Sequence, residues 1–177
     1  PVVTSQEHAF RLKPEDLEAA ITPRSRLLIL PYPNNPTGGI LEREDLEALA
    51  PVIEKHDLMV ISDEIYAELV YDGKRHVSIA SLPGMFPRTV VINGFSKAFA
   101  MTGWRVGYVC GPKEILSVMT KIHQYAIMCA PRQGQVAALA ALRQGRRDQY
   151  AVIKTMRDRY DRRRRLMVSA FRDMGPE

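Results

Sequence analysis

Apolar runs bounded by turn residues alternate along the chain with segments of helical spacing. The runs at 26–33 (RLLILPYP), 58–64 (LMVISDE), 88–94 (RTVVING) and 103–111 (GWRVGYVCG) are short and apolar on both faces. That pattern predicts strands of a sheet covered by helices on both sides. Segments 13–21 (KPEDLEAAI) and 41–57 (LEREDLEALAPVIEKHD) read as helices. Pro14 falls near the start of the first, where a missing N–H is harmless. Pro51 falls late in the second, where a proline bends or loosens a helix. After the last strand come helical patterns at 112–127 and 131–145, then a long basic helix reaching the end of the chain. Alternating strands and helices argue for an α/β sandwich, and no internal repeat or low-complexity linker interrupts it.

Composition narrows the class without changing this picture. The 177 residues, 46% of them hydrophobic, suit one globular domain with a real core. No apolar run approaches the ~20 residues of a membrane span. There is no signal-peptide pattern, and Cys110 and Cys129 form neither a disulfide framework nor a metal-ligand spacing, so the expected setting is cytoplasmic and metal-free. The chain begins at Pro1 and ends just past a helical pattern, which suggests a piece of a longer protein.

The net charge of +5 is concentrated, because residues 143–165 hold ten Lys/Arg against three Asp. Such a cluster can mark nucleic-acid binding. Here Tyr150, Ile153, Tyr160, Met167, Phe171 and Met174 recur at three- and four-residue steps, and the charges are of mixed sign. The favoured reading is an amphipathic helix with a solvated basic face, not a nucleic-acid surface. His56, His76 and His123 show no ligand spacing and read as surface or helix residues.

The candidate chemistry lies at the strand ends. In open α/β sheets, ligands gather at the carboxyl ends of the strands. Three successive runs here stop in polar residues: PNNPTGG (33–39), SDEIY (62–66) and GFSK (94–97). Each has an ordinary explanation alone, as a turn, a cap or a snorkelling lysine. Together Asn35, Asp63, Tyr66, Ser96, Lys97 and Arg105 call for one large polar ligand. It would offer a carbonyl to the lysine, an anion to the arginine and a basic atom to the aspartate.

NNPTGG (34–39), SDEIYAELVYDG (62–73) and FSKAFAMTGWRVGY (95–108) resemble, in order and spacing, the pyridoxal-phosphate-binding segments of class I/II aminotransferases. The likeness is to the subgroup of bacterial aspartate, aromatic and N-acetyl-diaminopimelate aminotransferases, and KIHQYAIMCAP (121–131) is similar to that subgroup too. The resemblance implies part of the large domain of a fold type I transferase. Its sheet would be mostly parallel with the last strand (about 103–111) antiparallel. Residues 1–145 would belong to the cofactor-binding domain, and 146–177 would form a long helix leading toward a small domain.

Residue by residue, the resemblance makes Lys97 the Schiff-base lysine and proton shuttle. A neutral amine is needed for that task, and apolar surroundings would favour it. Asp63 would lie under the pyridine nitrogen of pyridoxal 5′-phosphate, Tyr66 and Asn35 would donate to its ring oxygen, and Ser96 and Arg105 would hold its phosphate. Gly103 and Gly107 are expected to allow close backbone approach, Trp104 and Tyr108 to be core residues, and Asn35–Pro36 to be a cis bond.

The family's earlier phosphate loop, its ring-stacking aromatic residue and its carboxylate-clamping arginine would lie outside residues 1–177. The implied parent is a homodimeric enzyme moving an amino group from an L-amino acid to a 2-oxo acid, with little or no turnover in the piece alone. Two alternatives share the resemblance. One is carbon–sulfur elimination or aminocyclopropanecarboxylate synthesis on the same scaffold, and the other is the aminotransferase-like sensor domain of a transcription regulator.

Overall fold

A computed structural model describes residues 1–175. Four strands form its sheet: β1 (Leu27–Leu30), β2 (Met59–Asp63), β3 (Thr89–Gly94) and β4 (Gly107–Cys110). They lie in the order β1-β2-β3-β4, with the first two pairings parallel and β3–β4 antiparallel. Five helices accompany them: α1 (Pro14–Ala20), α2 (Arg43–Lys55), α3 (Lys113–Ala126), α4 (Arg132–Asp148) and α5 (Ala151–Met174). The long helix predicted at the C-terminus therefore ends at Met174, and residues 176–177 lie outside the described residues. Among the described residues no helix is long and apolar enough to cross a membrane.

The register sorts the two faces of the sheet. Leu28 pairs with Val60 and Leu30 with Ser62, while Val60 and Ser62 in turn face Thr89 and Val91. Leu28, Leu30 and Val60 pack against Leu17 of α1, Leu46, Leu49 and Ile53 of α2, and Ile79, Leu82 and Met85 of the β2–β3 connection. A second cluster of Phe95, Met101, Val106 and Ala138 joins α4 to the turn after β3. The expectation of helices over both faces is only half met, since Leu27 and Ile29 on the opposite face of β1 are exposed. Apolar runs report that a face needs cover, not that this stretch of chain supplies it.

Local chemistry explains most boundaries. α2 starts with a capping box, in which Glu42 and Asp45 bond each other's backbone N–H. Arg11 adds contacts of 2.6 Å to Glu42 and 3.0 Å to Asp45. Pro51 does not break the helix, which runs through it to Lys55. α4 continues past Gly145 to Asp148, and the chain turns into α5 through Gln149 and Tyr150, both left-handed at φ 54° and 59°. Gly145 permits this turn, because a Cβ there would collide with the Tyr150 ring.

The apolar stripe of α5 is covered only at its start. Ile153 is buried, but Tyr160, Met167, Phe171 and Met174 are exposed. The basic residues are partly paired: Arg164 reaches Asp72 and Asp161 at 2.7 Å each and lies over the Tyr71 ring. These contacts tie α5 to the segment that follows β2.

Leu49 and Ile53 are fully buried between α2 and the sheet. Leu49→Ala is expected to lower unfolding free energy by about 2–5 kcal/mol, the usual cost of an apolar truncation in a packed core. Urea denaturation followed by circular dichroism measures it, and a loss under 1 kcal/mol, roughly the bound for tolerated swaps, would remove α2 from the central core.

Candidate active site

The three strand ends predicted from sequence come together because β1, β2 and β3 are parallel neighbours. After β1 the chain passes two cis bonds, Tyr32–Pro33 and the expected Asn35–Pro36. Asn34 holds the following turn closed. Its N–H donates to Gly39 O at 2.8 Å, its carbonyl accepts from Gly38 N at 3.0 Å, and its Oδ1 accepts from Thr37 Oγ1 at 2.8 Å. Gly38 supplies the left-handed residue the turn needs, at φ 73°. With Asn34 occupied in this way, Asn35 projects its amide, and Nδ2 donates to Tyr66 Oη at 3.2 Å.

At the end of β2, Asp63 pairs with Ile92 and so lies on the sheet face opposite the α1–α2 core. Its Oδ1 accepts from Ile65 N at 3.2 Å, which caps the turn leading to Tyr66. Glu64 faces the other way and is 4% exposed. Its Oε1 accepts from Ser62 Oγ at 2.9 Å and Ser78 Oγ at 2.6 Å, and its Oε2 lies 2.9 Å from His76 Nε2, off the line of a good hydrogen bond. Burial pushes this carboxyl up, but the His76 contact and the serine donors outweigh it and hold the group below its ordinary value.

At the end of β3, Phe95 to Met101 wrap into a compact turn. Phe95 O accepts from both Phe99 N and Met101 N, and Lys97 O accepts from Ala100 N. Phe95 and Ala98 are buried while Lys97 between them is half-buried. Nζ lies 5.3 Å from the centre of the Tyr66 ring.

Ser96 and Arg105 are linked through a residue not singled out in the sequence. Thr102 Oγ1 donates to Ser96 O at 2.9 Å, and Arg105 Nη1 donates to Thr102 O at 3.1 Å. Arg105 itself is left-handed at φ 53°, a conformation uncommon for a residue with a Cβ. Val106 and the Trp104 carbonyl beside it press on Gly134 of α4, where a Cβ would collide with Val106 Cγ2.

Thus Tyr66 is hydrogen-bonded to Asn35 and has the Lys97 amine 5.3 Å from its ring centre, Ser96 and Arg105 are joined by Thr102, and Asp63 stands at the neighbouring strand end. Among the described residues, no hydrogen bond or ion pair joins the Asp63 side chain to the other five. A cleft of about 610 Å³ includes Asn35 and Tyr66 and is bounded by Tyr71 and Arg164. A larger one, about 710 Å³, lies between the 67–76 segment and α5 and takes in none of the six.

Several sequence expectations need correction. β4 starts at Gly107, not near residue 103, because Thr102–Trp104 form a 3₁₀ turn. Trp104 and Tyr108 are 48% and 46% exposed, so neither is a core residue in this chain. A Cβ on Gly103 would meet nothing, whereas one on Gly107 would meet Asn93 O at 3.0 Å, so only the second glycine serves a close approach. His76 is not a plain surface residue, since it partners buried Glu64.

The chain matches the aminotransferase class I and II family over residues 1–176. It is 45% identical over 174 residues to aromatic-amino-acid aminotransferase 2 of Thermococcus litoralis, covering 98% of this chain and 44% of that protein. The crystal structure of an aromatic aminotransferase from Pyrococcus horikoshii superposes with a TM-score of 0.93 at 46% identity, covering 98% of this chain and 46% of the other. Aspartate aminotransferase from Thermus thermophilus with maleate gives 0.93 at 39% identity, covering 99% and 45%. With this fold and family match, the chain belongs to the class I and II aminotransferases. It spans less than half the length of these relatives.

Proposed function

We propose that the full-length protein is a pyridoxal-phosphate-dependent aminotransferase that moves an amino group from an L-amino acid to a 2-oxo acid. The observation that carries this reading is the contact chain Asn35–Tyr66–Lys97 at the carboxyl ends of parallel strands. The donor set fits the cofactor: an amine for its aldehyde, a carboxylate for its ring nitrogen, two hydrogen-bond donors for its ring oxygen, and a hydroxyl with a guanidinium for its phosphate.

When bound, pyridoxal 5′-phosphate supplies an electron sink for charge developing at the substrate α-carbon. Lys97 would hold the aldehyde through Nζ and, once displaced, move a proton at that atom. The Asp63 carboxylate would hold a proton on the ring nitrogen. Tyr66 Oη and Asn35 Nδ2, already hydrogen-bonded to each other, would orient the ring oxygen. Ser96 and Arg105, braced by Thr102, would bind the phosphate.

Residues 1–145 would form part of the cofactor-holding domain, and α5 (Ala151–Met174), which begins a few residues later than the expected 146, would lead toward a small domain. Exposed Val118, Ile122 and Tyr125 along α3 support a homodimer whose partner covers them, and free Cys110 and Cys129 support a cytoplasmic setting. The relatives named for the site are aminotransferases, which favours transamination over elimination, cyclopropane formation or a sensor role.

The test is production of a 2-oxo acid from aspartate, aromatic and diaminopimelate-type donors by full-length protein loaded with cofactor. Transfer with at least one donor class is expected, and the 177-residue chain alone should show little or none. Elimination products without amino transfer would overturn the reading.

A further inference from the structure

Glu64 is a carboxylate almost entirely removed from solvent, yet the proposed transamination gives it no task. Burying an anion is costly, and a well-packed apolar residue of similar volume is often at least as stabilising. Its surroundings point to a role in placement. Five contacts converge on this one residue from four parts of the chain. Its N–H donates to Ile92 O on β3 at 2.8 Å, and its carbonyl accepts from Ala67 N at 2.9 Å. Its side chain accepts from Ser62 on β2 and from Ser78 in the following loop, and it faces His76 at 2.9 Å. The residues on either side are the ones that matter: Asp63 precedes it, and the turn from Ile65 that presents Tyr66 follows it.

We propose that Glu64, held by Ser62, Ser78 and His76, is a positioning residue that fixes Asp63 and Tyr66 in the orientation the cofactor requires. The proposal rests on the cofactor reading under Proposed function. Alternation along the chain puts Asp63 and Glu64 on opposite faces, so anchoring one side sets the aim of the other. His76 also lines the larger cleft, which none of the six candidate cofactor residues borders.

The test compares full-length wild type with Glu64→Leu, Glu64→Gln and His76→Gln. Three quantities are read: amide hydrogen exchange at Ile65 and Ala67 in cofactor-free protein, the Kd for pyridoxal 5′-phosphate, and kcat against KM for the amino donor. Misplaced groups near reacting atoms cost about 10²-fold, so Glu64→Leu should raise Kd and lower kcat by about 10–100-fold with KM changed little. Exchange at both amides should quicken while the rest of β2 and β3 stays protected. Glu64→Gln, which keeps an oxygen acceptor for the serines, should recover part of each effect, and His76→Gln should follow in the same direction with a smaller change.

Variants with wild-type exchange and wild-type Kd overturn the proposal, as does a lowered melting temperature with neither local change. If Glu64→Leu does not fold, Glu64→Gln decides by the same two readings. Wild-type protein that takes up no cofactor overturns the functional reading and this proposal with it. Wild-type uptake with indifferent variants overturns this proposal alone.

Discussion

Replacing Lys97 by alanine in the full-length protein is expected to lower kcat/KM for amino transfer by at least about 10²–10⁴-fold, the usual worth of one positioned proton-transfer group. The loss should be larger than that of any other single change near the strand ends, because the proposed reading gives the amine two tasks, attachment and proton movement. Position supports both. Lys97 sits in a turn fixed by hydrogen bonds to Phe95 O, and its Nζ lies over the ring of Tyr66, whose hydroxyl Asn35 holds. Lys97→Arg should fail as badly, since a guanidinium keeps the charge but is not a nucleophile at accessible pH. Borohydride reduction followed by peptide mass mapping separates capture from catalysis. Wild type should carry the cofactor mass on the peptide containing residue 97, and neither variant should carry it. A reduced adduct on another lysine, or activity surviving in Lys97→Ala, would remove Lys97 from its assigned place.

Much of this arrangement is legible in the amino-acid sequence, and the reason is local. Apolar runs that stop abruptly at Asn34, Asp63 and Ser96 mark strand ends, and a parallel sheet must bring successive strand ends to one edge. The order β1-β2-β3 places those three ends side by side. The start of the fourth strand is not legible in the same way. GWRVGYVCG alternates like a strand throughout, and period alone does not reveal that Arg105 turns left-handed. The exposure of Trp104 and Tyr108 is hidden for a related reason. Alternation shows which side chains share a face but not whether this stretch of chain covers that face. The same holds for the second half of α5, whose stripe is real and uncovered here.

What the sequence conceals is the set of contacts behind the visible residues. In the sequence Glu64 is an ordinary neighbour of Asp63, and His76, twelve positions on, is unattached. Only the path of residues 64–78 back over the sheet joins them, with two serines that carry no signal of their own. Thr102 is similarly silent, because its role depends on a turn that places one residue against both Ser96 and Arg105.

Asp63→Asn is the second large effect expected, a fall in kcat/KM of about 10²–10³-fold, comparable to loss of one preorganised electrostatic partner. The structure allows this variant to be read cleanly. Asp63 Oδ1 accepts from Ile65 N, and an asparagine Oδ1 can accept the same hydrogen bond, so the turn toward Tyr66 should keep its shape. Only the negative charge is lost, and with it the proposed means of holding a proton on the ring nitrogen. Asp63→Asn should therefore retain covalent capture at Lys97 and a near-wild-type melting temperature while turnover falls. Asp63→Ala removes the charge and the Ile65 bond together, so its melting temperature should drop as well. Loss of the Glu64 anchor is expected to differ by adding weaker cofactor binding and faster exchange at Ile65 and Ala67 to its fall in kcat. Turnover of Asp63→Asn within a few-fold of wild type would mean that this carboxylate only caps its turn. The charge opposite the ring nitrogen would then have to come from elsewhere in the full-length protein.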